Sequence, residues 1–208
     1  MNIKKPKISN CALKNIYDSY QEKKFNNYLF NENIAKTITI KNTTIDSCIF
    51  ENIDFNTIKL ENVELIDVIF DNCDLSNQNF DYKYINRVIF KNSKLTGASF
   101  IQSSLKDVEF INCNLKYSNF SLTKIEKTIF KETDLSESSF IETNIKNIEF
   151  DKSDLSYAEI INVNLNNIDF TTSNISLTKF DKHSVKGIII NSIQAPDLVR
   201  LLEIKISD

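Results

Sequence analysis

The chain has 208 residues, a formal net charge of −3, and only two glycines and two prolines. Because glycine and proline are so few, a fold whose turns depend on them is excluded. No apolar run approaches the ~18 residues of a membrane-spanning helix, and the basic start MNIKKPKISN is not followed by the apolar segment of a signal peptide, so we expect a cytoplasmic protein.

Residues 1–24 differ from the rest of the chain because they are rich in lysine and lack its repeating pattern. We expect this segment to form a cap or an arm, and the sequence leaves both open. The charge is also unevenly placed. Residues 1–41 contain eight lysines and three acidic residues, whereas residues 42–208 contain 17 basic and 25 acidic residues. The body of the protein is therefore acidic.

Residues 25–193 carry a period of five. All fifteen phenylalanines have residue numbers divisible by five, and every fifth position from Ile40 to Ile190 is Phe, Leu, Ile or Val. Neither a helix nor a strand has this period, so it indicates an internal repeat. We call these positions register residues. Each points into an interior, while the position two residues earlier, which is usually small or β-branched, pads it.

A second period of 20 residues lies over the first. Register residues whose numbers end in zero are mostly Phe, and those ending in five are mostly Leu or Ile. Four sides of five residues make a square coil, so like residues should stack in columns. The predicted core columns contain Phe50, Phe70, Phe90, Phe110, Phe130, Phe150 and Phe170, and Leu75, Leu95, Leu115, Leu135 and Leu155.

Some reactive residues fall on the inward padding positions. Cys48, Cys73 and Cys113 all lie two residues before a register residue, where we expect them to act as small buried hydrophobic side chains. Two coils separate Cys73 from Cys113, about 9.6 Å, which is too far for a disulfide. The single histidine, His183, is also predicted to point inward.

After Ile190 the pattern stops. Gln194-Ala195-Pro196-Asp197 is typical of a helix start, and residues 194–208 are predicted to form a short helix and a strand. One interpretation is a lid over the last coil. The other is a lid that also pairs with a second copy, because the helix holds more apolar side chains than a narrow coil end can cover.

Acidic residues form two rows on the predicted outer surface. One row, just before the Leu column, reads Asp54, Asp74, Lys94, Asn114, Asp134, Asp154. The other begins with Ile49, Ile69 and Ile89, and includes Glu109, Ile129, Glu149 and Asp169. Regularly spaced carboxylates on a rod could imitate the phosphates of DNA. The isoleucines fit strand propensity or a partner contact. The predicted acidic partner-binding surface contains Asp54, Asp74, Asp134, Asp154, Glu109, Glu149 and Asp169.

The repeat resembles the pentapeptide-repeat family, whose consensus is A(D/N)LXX. Thr133-Asp134-Leu135-Ser136-Glu137 and Ser153-Asp154-Leu155-Ser156-Tyr157 match it, with Thr or Ser in place of Ala. The consensus has Asp or Asn just before its Leu, so the repeat itself is a structural explanation for the first acidic row. The resemblance implies an all-β fold, a right-handed quadrilateral β-helix with a short C-terminal α-helix.

The tail resembles those of the Qnr/MfpA group within this family. That resemblance implies a homodimer joined through the C-termini, with Leu198, Val199, Leu201, Leu202, Ile204 and Ile206 at the interface. It also implies a DNA-mimicking protein that binds DNA gyrase and topoisomerase IV and modulates quinolone susceptibility. Many Qnr members carry loops that interrupt the coils, whereas this register admits none from residue 40 to residue 190.

Catalysis is not expected. The sequence has no glycine-rich phosphate loop, no metal-ligand spacing and no nucleophile motif, and a core filled with Phe and Leu leaves no cleft. We therefore predict no enzyme activity, no cofactor, no metal, no direct nucleic-acid binding and no membrane association. The alternative to topoisomerase binding is a structural or adaptor rod for another protein, since a fold does not fix a function.

Overall fold

The chain winds into a four-sided parallel β-helix in which one coil takes 20 residues. The computed structural model describes residues 1–199 and 201. Residues pair with those 20 positions further on, as in Phe50 with Phe70 and Phe110 with Phe130. We number the sides by their register residues: the first side carries 45, 65 and 85 onward, the second 50, 70 and 90, the third 55, 75 and 95, and the fourth 60, 80 and 100. The predicted fold class is confirmed.

The first and second sides together form the most regular part of the structure. Eight-residue strands cover both sides in successive coils, and all described strand pairs are parallel. These six strands are β5 (Thr44–Glu51), β7 (Glu64–Asp71), β8 (Tyr84–Lys91), β9 (Ser104–Ile111), β10 (Lys124–Lys131) and β12 (Asn144–Asp151).

Shorter strands complete the ends and the other sides. These strands are β1 (Ala12–Leu13), β2 (Lys24–Asn26), β3 (Tyr28–Phe30), β4 (Ile38–Lys41), β6 (Ile58–Glu61), β11 (Ser139–Ile141), β13 (Glu159–Ile161) and β14 (Lys179–Phe180). The first three join the large sheet at its N-terminal edge, β4 pairs with β6, and β11, β13 and β14 form a small sheet on the fourth side. A 3-10 turn covers Phe55–Thr57.

Two columns of stacked phenylalanines fill the interior. On the second side the rings of Phe90, Phe110 and Phe130 lie 4.9 Å apart and nearly parallel, which matches the ~4.8 Å rise per coil. On the fourth side Phe100 and Phe120 stack in the same way, 4.8 Å apart. The two columns meet edge to face, as in Phe100 and Phe110. Every residue of the predicted core columns is buried.

The residues at the corners between sides have a left-handed backbone conformation, with positive φ. Apart from the two glycines, the described residues with positive φ have values of 47° to 63°, and all their numbers end in two or seven. Most are not glycine, although a side chain in this region costs roughly 1–2 kcal/mol. Asparagine lowers this cost, because it tolerates positive φ better than most residues. Asparagine side chains also form hydrogen bonds between neighbouring coils: Asn72 Nδ2 donates to Asn52 Oδ1 at 2.7 Å, and Asn112 Nδ2 to Asn92 Oδ1 at 3.0 Å.

Both ends of the rod are covered. At the start, the short helix α1 (Ile16–Ser19) buries Ile16 and Ser19, and residues 1–9 extend along the outside of the coils. At the far end, α2 (Ala195–Val199) confirms the predicted C-terminal helix. No helix within residues 1–199 and 201 combines the length and apolar character that crossing a bilayer requires.

The last coil departs from the register. His183 is exposed, whereas the next residue, Ser184, is fully buried. The Ser184 hydroxyl accepts a hydrogen bond from the Val163 amide at 3.0 Å. The predicted inward position of His183 is therefore wrong, because the chain turns after Asp181, whose carboxylate accepts from the Ser184 amide at 2.8 Å.

We expect Phe110→Ala to lower the free energy of unfolding by about 3–5 kcal/mol, because it removes a fully buried ring from the middle of a column. Urea unfolding followed by circular dichroism measures the change. Tyr117→Ala is the control, since that ring is exposed and its loss should change stability by less than about 1 kcal/mol. Equal losses in the two variants would contradict the stacked core.

Candidate functional site

The N-terminal arm, residues 1–9, lies against the outer surface at the first and second sides. The backbone amide of Lys4 donates to Asp107 Oδ1 at 3.0 Å, and that of Lys7 donates to Asp67 Oδ1 at 2.8 Å. Both carboxylates are buried. Asp67 and Asp107 occupy the same corner two coils apart, so the arm runs along the rod rather than around it.

Asp67 is also held by Arg87 from the next coil. The guanidinium makes a two-pronged contact, with Nε to Oδ1 and Nη2 to Oδ2 both at 2.6 Å. Burial by itself raises the pKa of Asp67, but the hydrogen bonds from Arg87 and the Lys7 amide outweigh it, so the pKa lies below its ordinary value of 3.8. Asp67 is therefore ionised at neutral pH and its position is fixed.

The arm also explains part of the second acidic row. Glu109 is buried and its carboxylate pairs with Lys5 Nζ of the arm, at 2.5 and 2.6 Å. With the arm docked, Glu109 is therefore covered, so a partner could reach it only in place of the arm, and its role in partner binding stays a prediction. Sequence reasoning had no signal for this contact except the opposite charges of the arm and the body.

The outward isoleucines lie on the same side as Glu109. Ile49, Ile69, Ile89 and Ile129 occupy one row of the second side and are half-buried. Ile3, Pro6 and Ile8 of the arm are also half-buried. The row thus lies on the surface that the arm follows.

Glu149 and Asp169 continue this row and remain exposed. The amino group of Met1 lies 3.7 Å from Glu149 Oε2. Hydrogen bonds from the hydroxyl and the amide of Thr171 lower the pKa of Asp169. Of the three acidic residues predicted on the second side, these two present their charge to solvent.

The third side carries the other acidic row as one continuous ladder. Asp54, Asp74, Lys94, Asn114, Asp134, Asp154 and Asn174 pair in that order, each with the residue one coil away. The Asp and Asn side chains of this ladder also support the turn that follows them. Asp134 Oδ1 accepts from the Ser136 amide at 2.9 Å and Asp154 Oδ1 from the Ser156 amide at 2.8 Å, as in Asx-turns. Part of the row's regularity is therefore structural.

Many surface carboxylates face a lysine one coil away. Lys91 lies 2.8 Å from Asp71, Lys94 lies 3.9 Å from Asp74, and Lys179 lies 2.6 Å from Glu159. Surface pairs of this kind contribute only about 0–1 kcal/mol each to stability. Their larger effect is to reduce the negative potential along the columns in which they occur.

Exposed aromatic and aliphatic side chains, which sequence reasoning missed, line both edges of the fourth side. They lie at corners with positive φ, two positions after a register residue. That position in the repeat was the only sign of them in the sequence. Tyr82 and Leu122 lie on one edge, and Tyr117, Tyr157 and Leu177 on the other. Tyrosine is enriched at protein interfaces, so these corners are candidate contacts.

The C-terminal end brings together part of the predicted dimer interface. Leu198 and Leu201 are half-buried and pack against the core, and Val199 is half-buried. Leu202, Ile204 and Ile206 lie outside the described residues. Nearby, Ile193 is 86% exposed. The described part of the tail thus covers the last coil and leaves an apolar side chain on its outer surface.

The cysteines do not form a reactive site. Cys48, Cys73 and Cys113 are buried, as predicted, and Cys11 is half-buried; all four are free. Burial raises the pKa of Cys48 and Cys73 to about 12 and that of Cys113 to about 11. These thiols are protonated at neutral pH and make poor nucleophiles. Within the described chain, no group of three His, Cys, Asp or Glu is placed to hold a metal.

The repeat geometry agrees with two family models. A pentapeptide repeat region model matches residues 63–140, and a model of eight pentapeptide repeats matches residues 133–171. Together they cover more than half of the chain. The chain belongs to the pentapeptide-repeat family.

The chain is also similar to proteins of known structure. A trypsin-treated form of QnrB1, a plasmid-mediated fluoroquinolone resistance protein, matches with 24% identity and a TM-score of 0.52, covering 88% of this chain and 90% of that one. HetL, a pentapeptide-repeat protein involved in heterocyst differentiation regulation in the cyanobacterium Nostoc sp. strain PCC 7120, matches with 12% identity and a TM-score of 0.36, covering 85% and 96%. Comparison with curated protein sequences gave no match.

We expect Asp67→Asn to lower the free energy of unfolding at pH 7 by about 1–3 kcal/mol, because it leaves Arg87 without its ionic partner. Since the folded-state pKa of Asp67 is depressed, its stabilisation is present above the unfolded value of 3.8 and is lost as the pH falls through the lower folded value. The difference between wild type and variant should therefore be constant from pH 7 to pH 5 and shrink below about pH 4.

Urea unfolding at a series of pH values measures this difference. Asp71→Asn is the control, because Asp71 also pairs with a basic residue one coil away, but its side chain is 26% exposed against 6% for Asp67, and the expected loss is below about 1 kcal/mol. A pH-independent difference for Asp67→Asn would contradict the assignment.

Proposed function

We propose that this protein is a DNA-mimicking rod that binds type II DNA topoisomerases, DNA gyrase or topoisomerase IV, through the acidic ladder of the third side. The observation that carries the proposal is the ladder itself, which sets Asp54, Asp74, Asp134 and Asp154 in one line on a rigid rod. A DNA-binding enzyme presents a basic surface shaped for such a line of charge.

Within the ladder, Asp134 and Asp154 are the most favourable pair. Lys94 lies 3.9 Å from Asp74 and partly offsets its negative charge, whereas neither Asp134 nor Asp154 forms an ion pair within the described residues. They are consecutive members of the column, about 4.8 Å apart along the axis. Two uncompensated negative charges therefore stand together on an otherwise partly neutralised surface.

The relation to drug resistance is a further part of the proposal. QnrB1, whose fold is similar, is a fluoroquinolone resistance protein. In this chain, the register residues follow every five positions from residue 40 to residue 190 without an inserted loop. We therefore expect topoisomerase binding, with quinolone protection as an effect to be measured separately.

A supercoiling assay with purified gyrase, with and without ciprofloxacin, tests the proposal. Wild-type protein at micromolar concentration should inhibit supercoiling or relieve the drug's effect. Asp134→Asn/Asp154→Asn should raise the half-effective concentration about tenfold, equivalent to about 1.4 kcal/mol. The fold should be unaffected, because asparagine keeps the turn hydrogen bond, as Asn114 and Asn174 do in the same column.

Glu64→Gln/Glu142→Gln is the matched control. It removes the same charge from exposed positions outside the ladder, and Gln102 already occupies the corner row of Glu142. If wild type neither inhibits nor relieves, topoisomerase binding is wrong. If both double variants weaken the effect equally, net charge rather than the ladder is responsible.

The exposed corners of the fourth side favour a second candidate, an adaptor rod for another protein. Tyr82, Tyr117 and Tyr157 are more than half exposed, and amphipathic rings of this kind often anchor protein interfaces. An adaptor of this type would be insensitive to the substitutions in the third side. Tyr117→Ser/Tyr157→Ser would weaken its partner binding instead.

We also propose that two copies pair through their C-terminal ends. Support comes from the exposed Ile193 and from Leu198, Val199 and Leu201, which are only half-buried. A two-fold arrangement is the commonest symmetry among oligomers. Pairing would bury these side chains and place two rods end to end.

Sedimentation velocity tests the pairing. Wild type should sediment as two copies of the 24.0 kDa chain, and Leu198→Asp/Leu202→Asp as one copy, because a carboxylate at the interface would be buried without a partner. Leu122→Asp/Leu177→Asp makes the same chemical change at exposed corners and should leave the dimer intact. A monomeric wild type would rule out the pairing.

A further inference from the structure

The N-terminal arm places backbone amides and a lysine against three carboxylates of the surface beneath it. A segment that only covered the coils would not need these matched groups. We propose that this surface is a docking track for an extended, lysine-bearing peptide segment of another protein, and that residues 1–9 occupy the track within the same chain. The track consists of Asp67, Asp107 and Glu109 with the half-buried isoleucines of the second side.

The spacing of the track fits an extended peptide. Asp67 and Asp107 are separated by two coils, about 9.6 Å. Their donors, the amides of Lys7 and Lys4, are three residues apart, and three residues of extended chain span about 9–10 Å. Three residues of the arm therefore span the same distance as two coils of the rod.

One acceptor of the track, Asp67, is held in place by the coils themselves. Arg87 holds Asp67 from the next coil through two hydrogen bonds. Asp67 and Asp107 accept from backbone amides, which every residue except proline can provide. Selectivity comes from Glu109, which binds the ammonium group of Lys5. The track thus recognises an extended backbone and one lysine.

The attachment of the arm is suited to exchange. The first strand pairing in the chain begins at β1, Ala12 with Tyr28, so residues 1–9 lie outside the sheet. Lys4, Lys5 and Lys7 are exposed, and the hydrogen bonds that residues 1–9 donate within the described part of the chain go to the side chains of Asp107, Glu109, Asp67 and Asn27. Segments held in this way open locally at a low free-energy cost.

Charge selects the occupant. The track contributes three carboxylates, and among the described residues of the coils Arg87 forms its ion pair with Asp67. The arm supplies Lys4, Lys5 and Lys7 within seven residues. A partner segment with the same alternation of basic and apolar residues would find the same acceptors, and binding would require the arm to leave.

The test uses the full chain carrying Lys4→Pro/Lys7→Pro, which removes both amide donors while leaving the arm extended. Hydrogen exchange measured by mass spectrometry should show residues 1–10 released. A fluorescein-labelled peptide, MNIKKPKISN, should then bind saturably by anisotropy. Binding to wild type should be at least tenfold weaker, because the tethered arm competes at a millimolar effective concentration.

Lys4→Ala/Lys7→Ala is the matched control, since it removes the same side chains and keeps the amides. Its arm should stay docked. A second peptide, MNIPKPPISN, should not bind the released variant. Release without peptide binding would overturn the proposal, as would equal binding of both peptides or failure of the proline variant to release the arm. A change in sedimentation between wild type and the proline variant would instead identify the arm of a second copy as the occupant.

Discussion

The stacking of each residue on the residue 20 positions later is the constraint on which the whole structure depends. It forms the parallel ladders, places Phe90, Phe110 and Phe130 in contact, and aligns the amides of the corners. Each coil buries its core only against its neighbours. The strain of many left-handed corners is thus balanced by bonds and contacts that exist only when the register is kept.

The same stacking explains how much of the fold could be predicted. A period of five identifies the inward positions and a period of 20 identifies the columns, because both follow from side-chain size alone. The corner conformation could not be read in this way. Tyr82, Arg87 and Leu122 all have positive φ, although none is a residue type that favours it. Their conformation is imposed by the coil.

The candidate site was less predictable because its decisive contacts use the backbone. The carboxylates of Asp67 and Asp107 receive amide hydrogens from an arm that lies far away in the sequence, and any residue except proline can donate such a bond. The sequence showed only the basic arm, the acidic body and an outward row of isoleucines. The prediction that His183 points inward was wrong for a related reason, since a turn held by the Ser184 amide and the Asp181 carboxylate replaces the repeat at the last coil.

Because every surface residue of the coils belongs to a column, the charge along the coils is a property of columns and not of single residues. A lysine one coil from a carboxylate neutralises it, as Lys94 does beside Asp74, whereas Asp134 and Asp154 reinforce one another. Repulsion between such neighbours costs stability and would be removed by asparagine at no cost to the turn. A column that keeps its carboxylates therefore retains a feature that folding does not need, and that is where binding is best sought.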